Sequence, residues 1–567
     1  MTDYGWSYRW RMTRAAGVGM ALLVTAGTVG PALGSAAASP AAPQVGGQLA
    51  VEDGPAWAKA KWGDDETKED EQASAETGTW VADKDTGSLY TVTKSHGAHD
   101  AWGKTDATGK KITGKGVTVA LIDTGVSPVE GLDTTGKVIN GPDLSLESQA
   151  PNLRHLDGFG HGTHMAGIIA GRDAAVSAGN ENDAKHFVGI APDARILNMK
   201  VATGDGAADV SQVIAAIDWV VQHRKDNGMN VRVINLSYGT SSDQSSVVDP
   251  LAHAVENAWR AGLVVVAAAG NDGAGQPLTM PAVDPYVIAV GASDHRGTDK
   301  VDDDSLAAFT NAGAGSRQAD LLAPGKSLVS LRVPGSFADL EHPEGLVTGD
   351  ATERFFRGSG TSQATAAVSG SVALLLQQRP SMTPNQVKAL LKKTATPLKE
   401  SALAGVGQLD IKKAVEQSTP SATASAQVYP PSTGLGSLEA SRGDSHVADP
   451  DNGAVLTGEM DISGTAWDAR SWSTASAAGA AWTGGDWNAR TWSGDAWSGE
   501  SWASSTWAPA DWSDSSWSGI AWSARTWSAR SWSARSWSAR TWSGDDWSAR
   551  SWSARSWSGI YLEPGTW

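Results

Sequence analysis

The sequence of 567 residues is long enough for a large hydrophobic core and for roughly two to four domains. It contains no cysteine, which excludes a disulfide framework, a thiolate zinc site and a cysteine nucleophile. The formal net charge of −17 argues against a nucleic-acid or anionic-membrane partner for the chain as a whole, because both attract basic surfaces.

The N-terminus has the features of an export signal. Arg9, Arg11 and Arg14 precede an apolar run rich in small residues, and an Ala-x-Ala cleavage site ends at Ala38. The alternative is a membrane anchor, but the run of about sixteen residues is shorter than the roughly twenty that a spanning helix needs. We therefore predict a signal peptide over residues 1–38, a secreted protein and no transmembrane anchor once the signal is removed.

The next segment, residues 39–87, is rich in Ala, Pro and Gly and then becomes acidic, as in "GDDETKEDEQASAE". Its low hydrophobicity and high charge are typical of a solvated spacer or of part of a removed pro-segment. The composition does not choose between these two interpretations.

Residues 88–418 alternate short β-branched runs with helical patterns. The runs "GVTVALID", "ARILNMKV", "VRVINLS", "GLVVVAAAG" and "YVIAVGAS" are typical of buried parallel strands. Helical patterns lie between or after them, in "GTHMAGIIAG", "ADVSQVIAAIDWVVQHR", "DPLAHAVENAWRAG" and "TPNQVKALLKKTA". The alternation predicts an α/β fold with a mostly parallel sheet and right-handed crossovers. Functional residues in such sheets lie at the carboxyl ends of the strands.

The C-terminal part differs in composition. Residues 419–465 are rich in Ser, Thr, Ala and Pro and lack hydrophobic periodicity, which predicts a linker with few contacts to either neighbour. Residues 466–567 contain a five-residue tryptophan repeat, as in "WSARSWSARTW". This spacing fits one face of neither a helix nor a strand. A β-solenoid, a disordered low-complexity tail and a surface ordered by a ligand such as a glycan all remain open.

Four polar residues lie just after predicted strands or just before predicted helices: Asp123, His161, Asn271 and Ser362. Taken singly, each fits an ordinary structural role, such as a turn residue or a helix cap. Together they match the groups that acyl transfer needs. A serine is activated by a neutral imidazole, a buried carboxylate orients the imidazole, and an amide stabilises the oxyanion.

The blocks "ALIDTG", "GHGTHMAG" and "GSGTSQA", in the order Asp, His, Ser, resemble the subtilisin-like serine peptidases, or subtilases. The resemblance spans roughly residues 111–415 and includes "VINLSYG", "VVVAAAGND" and "DLLAPG". It implies a three-layer α/β/α sandwich over residues 88–418. It also implies a serine endopeptidase that cuts proteins or peptides through an acyl-enzyme intermediate.

The resemblance further implies a role for each candidate. Asp123 would orient His161, His161 would act as general base and then acid, Ser362 would be the nucleophile, and Asn271 would lie in the oxyanion hole. Two edge segments would pair with an extended peptide, and a third would line the pocket for the side chain before the cut. The substrate-binding residues implied in this way are Gly204, Asp205, Gly206, Ser237, Tyr238, Gly239, Ala268, Ala269 and Gly270.

The sequence departs from the family pattern next to the nucleophile. Gln363 stands where the family usually has methionine, and Ala366 and Ala367 stand where it has proline and histidine. These changes leave the triad and the oxyanion donors in place. We therefore expect them to tune activity without removing it.

The chemistry needs no cofactor, but the resemblance implies structural calcium as a further expectation. Acidic residues cluster at Asp299–Ser305 and Gly179–Lys185, although such runs are more often solvated loops. Two other functions remain open. The chain could be a cell-envelope binding protein with a vestigial peptidase domain, or a narrow processing peptidase that its tryptophan tail targets to a cell wall or glycan.

Overall fold

The computed structural model describes residues 80–148, 153–298, 300–313, 317–398, 407–447, 455–483, 486–487 and 490–491. The predicted signal peptide, most of the acidic segment and the tryptophan repeat after residue 491 lie outside these residues. Among the described residues, no helix combines the length and the apolar character that crossing a membrane requires.

The strands of the described residues follow the predicted apolar runs and add shorter ones. In chain order they are β1 (Thr118–Asp123), β2 (Val138–Asn140), β3 (Arg195–Lys200), β4 (Val231–Leu236), β5 (Val264–Ala268), β6 (Ile288–Asp294), β7 (Ser305–Leu306), β8 (Leu321–Pro324), β9 (Leu328–Leu331), β10 (Phe355–Gly358), β11 (Thr396–Pro397), β12 (Gly407–Gln408), β13 (Asp486–Trp487) and β14 (Arg490–Thr491).

The described helices include the four predicted patterns and add others. They are α1 (Leu89–Ser95), α2 (Ala98–Trp102), α3 (His161–Ala170), α4 (Val210–His223), α5 (Pro250–Arg260), α6 (Phe337–Glu341), α7 (Thr361–Gln378), α8 (Pro384–Thr394), α9 (Ile411–Glu416), α10 (Leu438–Arg442) and α11 (Ala469–Ala477). Thr383 caps α8 in a capping box with Gln386 and precedes a proline at the first helical position.

The central sheet has the order β11-β12-β8-β6-β5-β4-β1-β3-β2 in the described residues, with β7 paired to β6. The ladders from β12 to β2 along this order are parallel, and β11 and β7 pair antiparallel. Every residue of β1 is buried, and because successive side chains point to opposite faces, both faces of the sheet are covered. The predicted α/β fold with a mostly parallel sheet is confirmed.

The chain order changes direction at β1, which pairs with β3 on one side and β4 on the other. Ligand sites in open α/β sheets lie at such a switch point, beyond the carboxyl ends of the strands. Asp123 is the last residue of β1 and lies at this point. The α3 and α7 helices pack against each other, and α4 packs against α5.

The first described residues of the chain pack on the folded region that follows them. The backbone N–H of Trp80 donates to the carbonyl of Gly349 at 2.7 Å, and the Trp80 indole N–H donates to Asp85 at 2.7 Å. Asp85 in turn forms an ion pair with Arg357. Residues 80–87 are therefore not a solvated spacer, whereas the alternative of a pro-segment and the boundary at residue 87 stay predictions.

The predicted linker is wrong for the residues that the structure describes. We call residues 417–483 the C-terminal extension. Its described part packs on α4 and α5, and its apolar side chains belong to the same hydrophobic core as the sheet: Leu438, Ile462, Trp467, Trp472 and Trp482 are each no more than 8% exposed. The described part of the C-terminal extension is therefore not separated from the predicted catalytic domain at residue 418 but shares its hydrophobic core.

Polar contacts join the C-terminal extension to α4 and α5 as well. On α5, the two ring nitrogens of His253 lie 2.8 Å from the carbonyl of Ser432 and 3.1 Å from that of Ser473. On α4, the carboxylate of Asp218 accepts from the Trp472 indole at 2.8 Å and from the Ser476 hydroxyl at 2.6 Å. These contacts explain why a segment without hydrophobic periodicity is held in place.

Asp218 makes this contact sensitive to pH. Burial raises the pKa of Asp218 from 3.8 to about 6, against the opposing hydrogen bonds from Ser476 and Trp472. Between pH 3.8 and about 6, Asp218 is therefore more protonated in the folded state than in the unfolded state. The stability that this proton contributes is present near pH 4 and is lost as the pH rises through 6.

We expect Asp218→Asn to remove this pH dependence, because asparagine is neutral and its amide oxygen still accepts from the Trp472 indole. The difference in unfolding free energy between the variant and the wild type should change by about 2 kcal/mol between pH 4 and pH 6.5, in favour of the variant at the higher pH. Denaturant unfolding at several pH values measures this difference. Parallel stability curves would contradict the argument.

Candidate active site

The first contact of the candidate site joins Asp123 to His161. The Nδ1 atom of His161 lies 2.8 Å from Oδ1 of Asp123, and both side chains are almost fully buried. The backbone N–H of Thr124 donates to the same carboxylate oxygen at 2.7 Å. A carboxylate can only accept here, so Nδ1 carries the proton in the neutral ring and Nε2 is the nitrogen available as a base.

Glycines allow the helix that carries His161 to approach the end of β1. A Cβ on Gly162 would come within 2.1 Å of the carbonyl oxygen of Gly125. Gly160, which precedes His161, has φ +102°, a conformation that favours glycine. The glycines around His161 in the sequence are therefore required by its geometry.

Asp157 is a site residue that the sequence analysis missed. Its carboxylate accepts from the N–H groups of Gly160 and Thr163, each at 2.7 Å, and from the Thr124 hydroxyl at 2.7 Å. Burial raises the pKa of Asp157, and these hydrogen bonds oppose the rise. Asp157 therefore fixes the start of α3 against the loop after Asp123. The signal available in the sequence was its "DGFG" turn four residues before His161.

Ser362 is the second residue of α7 and lies beside Asn271. The Asn271 Oδ1 atom accepts from the backbone N–H of Thr361 at 2.9 Å and from its hydroxyl at 3.0 Å. The backbone carbonyl of Ser362 accepts from the Ser237 hydroxyl at 3.3 Å. With Oδ1 held in this way, the amide nitrogen of Asn271 is directed away from Thr361.

The candidate residues thus form two groups at one edge of the sheet, and hydrogen bonds join the members of each group or the segments that carry them. Asp123 contacts His161 directly, while Asn271 and Ser237 hold the segment that carries Ser362. Because β1, β4 and β5 are neighbouring parallel strands, the residues that follow them meet at the same edge. The α3 and α7 helices, which carry His161 and Ser362, also pack together.

Two of the predicted substrate segments flank this edge. Gly206, with φ +82°, lies so close to Phe159 that a Cβ would come within 2.9 Å of its ring. The Phe159 ring centroid is 6.5 Å from that of His161. On the other side, Ser237 follows β4 directly and contacts Ser362 as described above. Gly204, Asp205, Tyr238 and Gly239 lie in these same two segments.

The third predicted segment continues from β5. Ala268 and Ala269 are fully buried, and Ala269 exchanges backbone hydrogen bonds with Val290 and Thr279. Gly270 has φ +113°, and a Cβ there would come within 2.5 Å of the Asn311 amide. Asn311 was also missed from the sequence; its side chain accepts from the Asp272 N–H and so holds the turn that carries Asn271.

The three residues that depart from the family pattern, Gln363, Ala366 and Ala367, all lie in one unbroken helix. Ala366 and Ala367 are buried inside α7, which runs without interruption from Thr361 to Gln378. Gln363 is fully buried, and its amide atoms have no hydrogen-bond partner among the described residues.

The described acidic side chains of the first loop have partners within the protein, and calcium at either acidic loop stays a prediction. Among the described residues, no group of three or more His, Asp or Glu side chains is arranged to hold a metal ion. Glu181 faces Arg172 at 3.5 Å and accepts from the Gly179 N–H, and Asp183 lies 2.8 Å from the ring of His186. In the second loop, Asp299 lies outside the described residues.

Comparison with known proteins identifies the family. The model of the subtilase family matches residues 114–411, which is half of the chain. The chain belongs to the subtilase family. The matched region contains Asp123, His161, Asn271 and Ser362, and it ends before the C-terminal extension.

Named relatives agree with this assignment. Serine protease AprX from Bacillus subtilis (strain 168) is 38% identical over 291 residues, which cover 50% of this chain and 62% of AprX. Minor extracellular protease Epr from the same organism is 31% identical, over 51% of this chain and 36% of its own length. The match therefore spans less than two thirds of either relative. Subtilisin Savinase from Lederbergia lenta is 33% identical, over 53% of this chain and 92% of the relative.

A solved structure, described as a cold adapted subtilisin-like serine proteinase, is 31% identical and covers 52% of this chain and 88% of its own, with a TM-score of 0.38. A TM-score this low adds nothing to the assignment, which rests on the family match.

Proposed function

We propose that this subtilase is a secreted serine endopeptidase that hydrolyses peptide bonds in proteins through an acyl-enzyme intermediate. The observation that carries the proposal is the buried hydrogen bond of 2.8 Å between Asp123 and His161, inside a region that matches the family. Secretion is supported by the basic, apolar N-terminus, and the relative Epr is named an extracellular protease.

The geometry supports a specific division of labour. The Nε2 atom of His161 takes the proton from the Ser362 hydroxyl as the oxygen attacks the substrate carbonyl, and later gives a proton to the leaving amine. Asp123 holds the imidazole in the required tautomer and stabilises the imidazolium. The buried position of this pair keeps water from weakening the interaction.

Two donors suit the oxyanion of the tetrahedral intermediate. The amide nitrogen of Asn271 is one, since its oxygen is engaged by Thr361. The backbone N–H of Ser362 is the other; at the second position of α7 it belongs to the first turn, whose N–H groups have no partner within the helix. Donors that are fixed before the reaction begins stabilise the charge without reorganisation.

The substrate would bind as an extended peptide between the two edge segments, Gly204–Gly206 and Ser237–Gly239. Backbone hydrogen bonds would give affinity, and the pocket beside Ala268–Gly270 would accept the side chain before the cut. Pairing through the backbone suits protein substrates of varied sequence. Binding of cell walls or glycans by the tryptophan repeat stays a prediction, since most of that repeat lies outside the described residues.

Covalent labelling by a fluorophosphonate probe tests the nucleophile. We expect one equivalent of probe on the wild type, mapped to Ser362, and no labelling of Ser362→Ala, because only an activated serine displaces the fluoride. Ser371→Ala is the matched control and should label fully. It removes a hydroxyl on the same helix that, among the described residues, donates to the Ala367 carbonyl. Probe found on another serine, or retained by Ser362→Ala, would refute the assignment.

A further inference from the structure

The C-terminal extension places one short helix between the N-terminal ends of two helices of the catalytic fold. Arg442, the last residue of α10, contacts Asp209, which caps α4. The hydroxyl of the neighbouring Ser441 donates to Asp249, which caps α5, at 3.1 Å. The family match ends at residue 411, so these contacts come from a part of the chain that the match does not include.

Arg442 is fully buried and has a complete set of partners. Its Nε donates to Asp209 at 2.6 Å, and the Asp209 side chain is fully buried too. Its Nη1 donates to the Gly458 carbonyl at 2.7 Å, and its Nη2 to the Met460 carbonyl. Arginine suits this role because its planar group donates in several fixed directions. Loss of the guanidinium would leave a buried carboxylate without its charge partner.

Asp209 connects Arg442 to the first substrate segment, because it lies three residues after Gly206 in the chain. At the other end of this segment, the Gly204 N–H donates to the buried Glu147 carboxylate at 2.9 Å. Asp209 itself accepts from the Ser211 N–H at 2.8 Å, which fixes it to the start of α4. The segment is therefore anchored at both ends, and Arg442 holds one of the two anchors.

The same helix reaches the second substrate segment. Thr240, which follows Gly239 directly, donates from its hydroxyl to the Ser441 carbonyl at 2.7 Å. The Ser241 hydroxyl donates to the Asp444 carboxylate. Gly443 packs so closely that a Cβ would come within 2.8 Å of Ser241. Residues 441–444 thus hold the chain within three residues after each segment.

We propose that α10 positions both substrate-binding edges of the cleft, and that Arg442 is the positioning residue through which it acts on the Gly204–Gly206 edge. The inference rests on the proposed function, since it requires that these edges bind a peptide. If α10 has this role, loss of Arg442 affects long and short substrates differently. Substrates long enough to lie between the edges depend on Arg442, while a substrate that contacts only the triad, the oxyanion donors and the primary pocket does not.

The test compares two substrates in the full-length protein. One is a tetrapeptide anilide, which lies along both edges, and the other is a single-residue ester with the same side chain before the cut. We expect Arg442→Met to lower the ratio of kcat/KM for the long substrate to that for the short one by about tenfold, mainly through KM, because small misplacements of a binding edge are costly. Arg442→Lys should fall between Arg442→Met and the wild type.

Arg470→Met is the matched control, since Arg470 is exposed on the C-terminal extension and should leave the ratio unchanged. Asp444→Ala, an exposed position, serves if Arg442→Met does not fold, and it should lower the ratio by about threefold. All rates are corrected for the fraction of enzyme that a fluorophosphonate titrates.

The outcomes separate the two proposals. A wild type that hydrolyses neither substrate would refute the proposed function. A wild type that hydrolyses both, with a ratio unchanged in Arg442→Met and Asp444→Ala, would overturn only the positioning role. An equal loss on both substrates in Arg442→Met would also overturn it, because that result indicates general damage to the fold.

Discussion

Substitution of Asp123 by asparagine is expected to lower kcat for peptide hydrolysis by about 10⁴-fold while the fold is retained. The carboxylate accepts the Nδ1 proton of His161 at 2.8 Å and the N–H of Thr124 at 2.7 Å. Because both donors meet the same oxygen, an asparagine keeps its amide oxygen there and loses the negative charge. The imidazolium that forms when His161 takes the proton of Ser362 is then no longer stabilised by a carboxylate.

Single-turnover and steady-state rates measure this loss, and KM for a peptide should change little because Asp123 does not face the substrate. Asp284→Asn is a matched control. Asp284 is also fully buried, and burial together with the neighbouring Glu256 raises its pKa to about 8, so asparagine resembles its neutral form. It should leave kcat unchanged. A loss below about tenfold in Asp123→Asn would mean that Asp123 does not assist His161 in the reaction.

The sheet could be predicted from the sequence because both of its faces are covered. Strands such as β1 and β5 are buried at every position, so they appear in the sequence as continuous β-branched runs. Asp123 stood out for the same reason, since a carboxylate at the end of such a run needs a partner. In the structure that partner is His161.

The C-terminal extension and the role of Asp157 could not be predicted, because both involve contacts with residues distant in sequence. Residues 419–465 show no periodicity, yet Arg442 is fully buried against Asp209 and the Ile462 N–H donates to Ser211. A buried arginine is polar, so it weakens the hydrophobic pattern that prediction uses. Asp157 was missed because two of its three described partners are backbone N–H groups, which any residue other than proline supplies.

Truncation of the chain tests the role of the C-terminal extension in stability. A chain ending at Thr483 keeps every contact of the extension described above, whereas a chain ending at Thr419 loses them. The linker predicted at residues 419–465, with few contacts to either neighbour, would make the second truncation harmless to the fold. The packing of Trp472 and Leu438 into the common core leads to the opposite expectation.

We expect the chain ending at Thr419 to lose on the order of 5 kcal/mol of unfolding free energy, since α4 and α5 would expose the apolar surface that the tryptophans cover. A loss of that size lowers Tm by roughly 6 °C for a fold of this length, and the chain ending at Thr483 should unfold near the full-length temperature. Calorimetry on the Ser362→Ala background makes the comparison without self-digestion. Equal melting temperatures for the two truncated chains would show that the extension contributes no stability. In that case the buried pair of Arg442 and Asp209 would offset only the cost of its own burial.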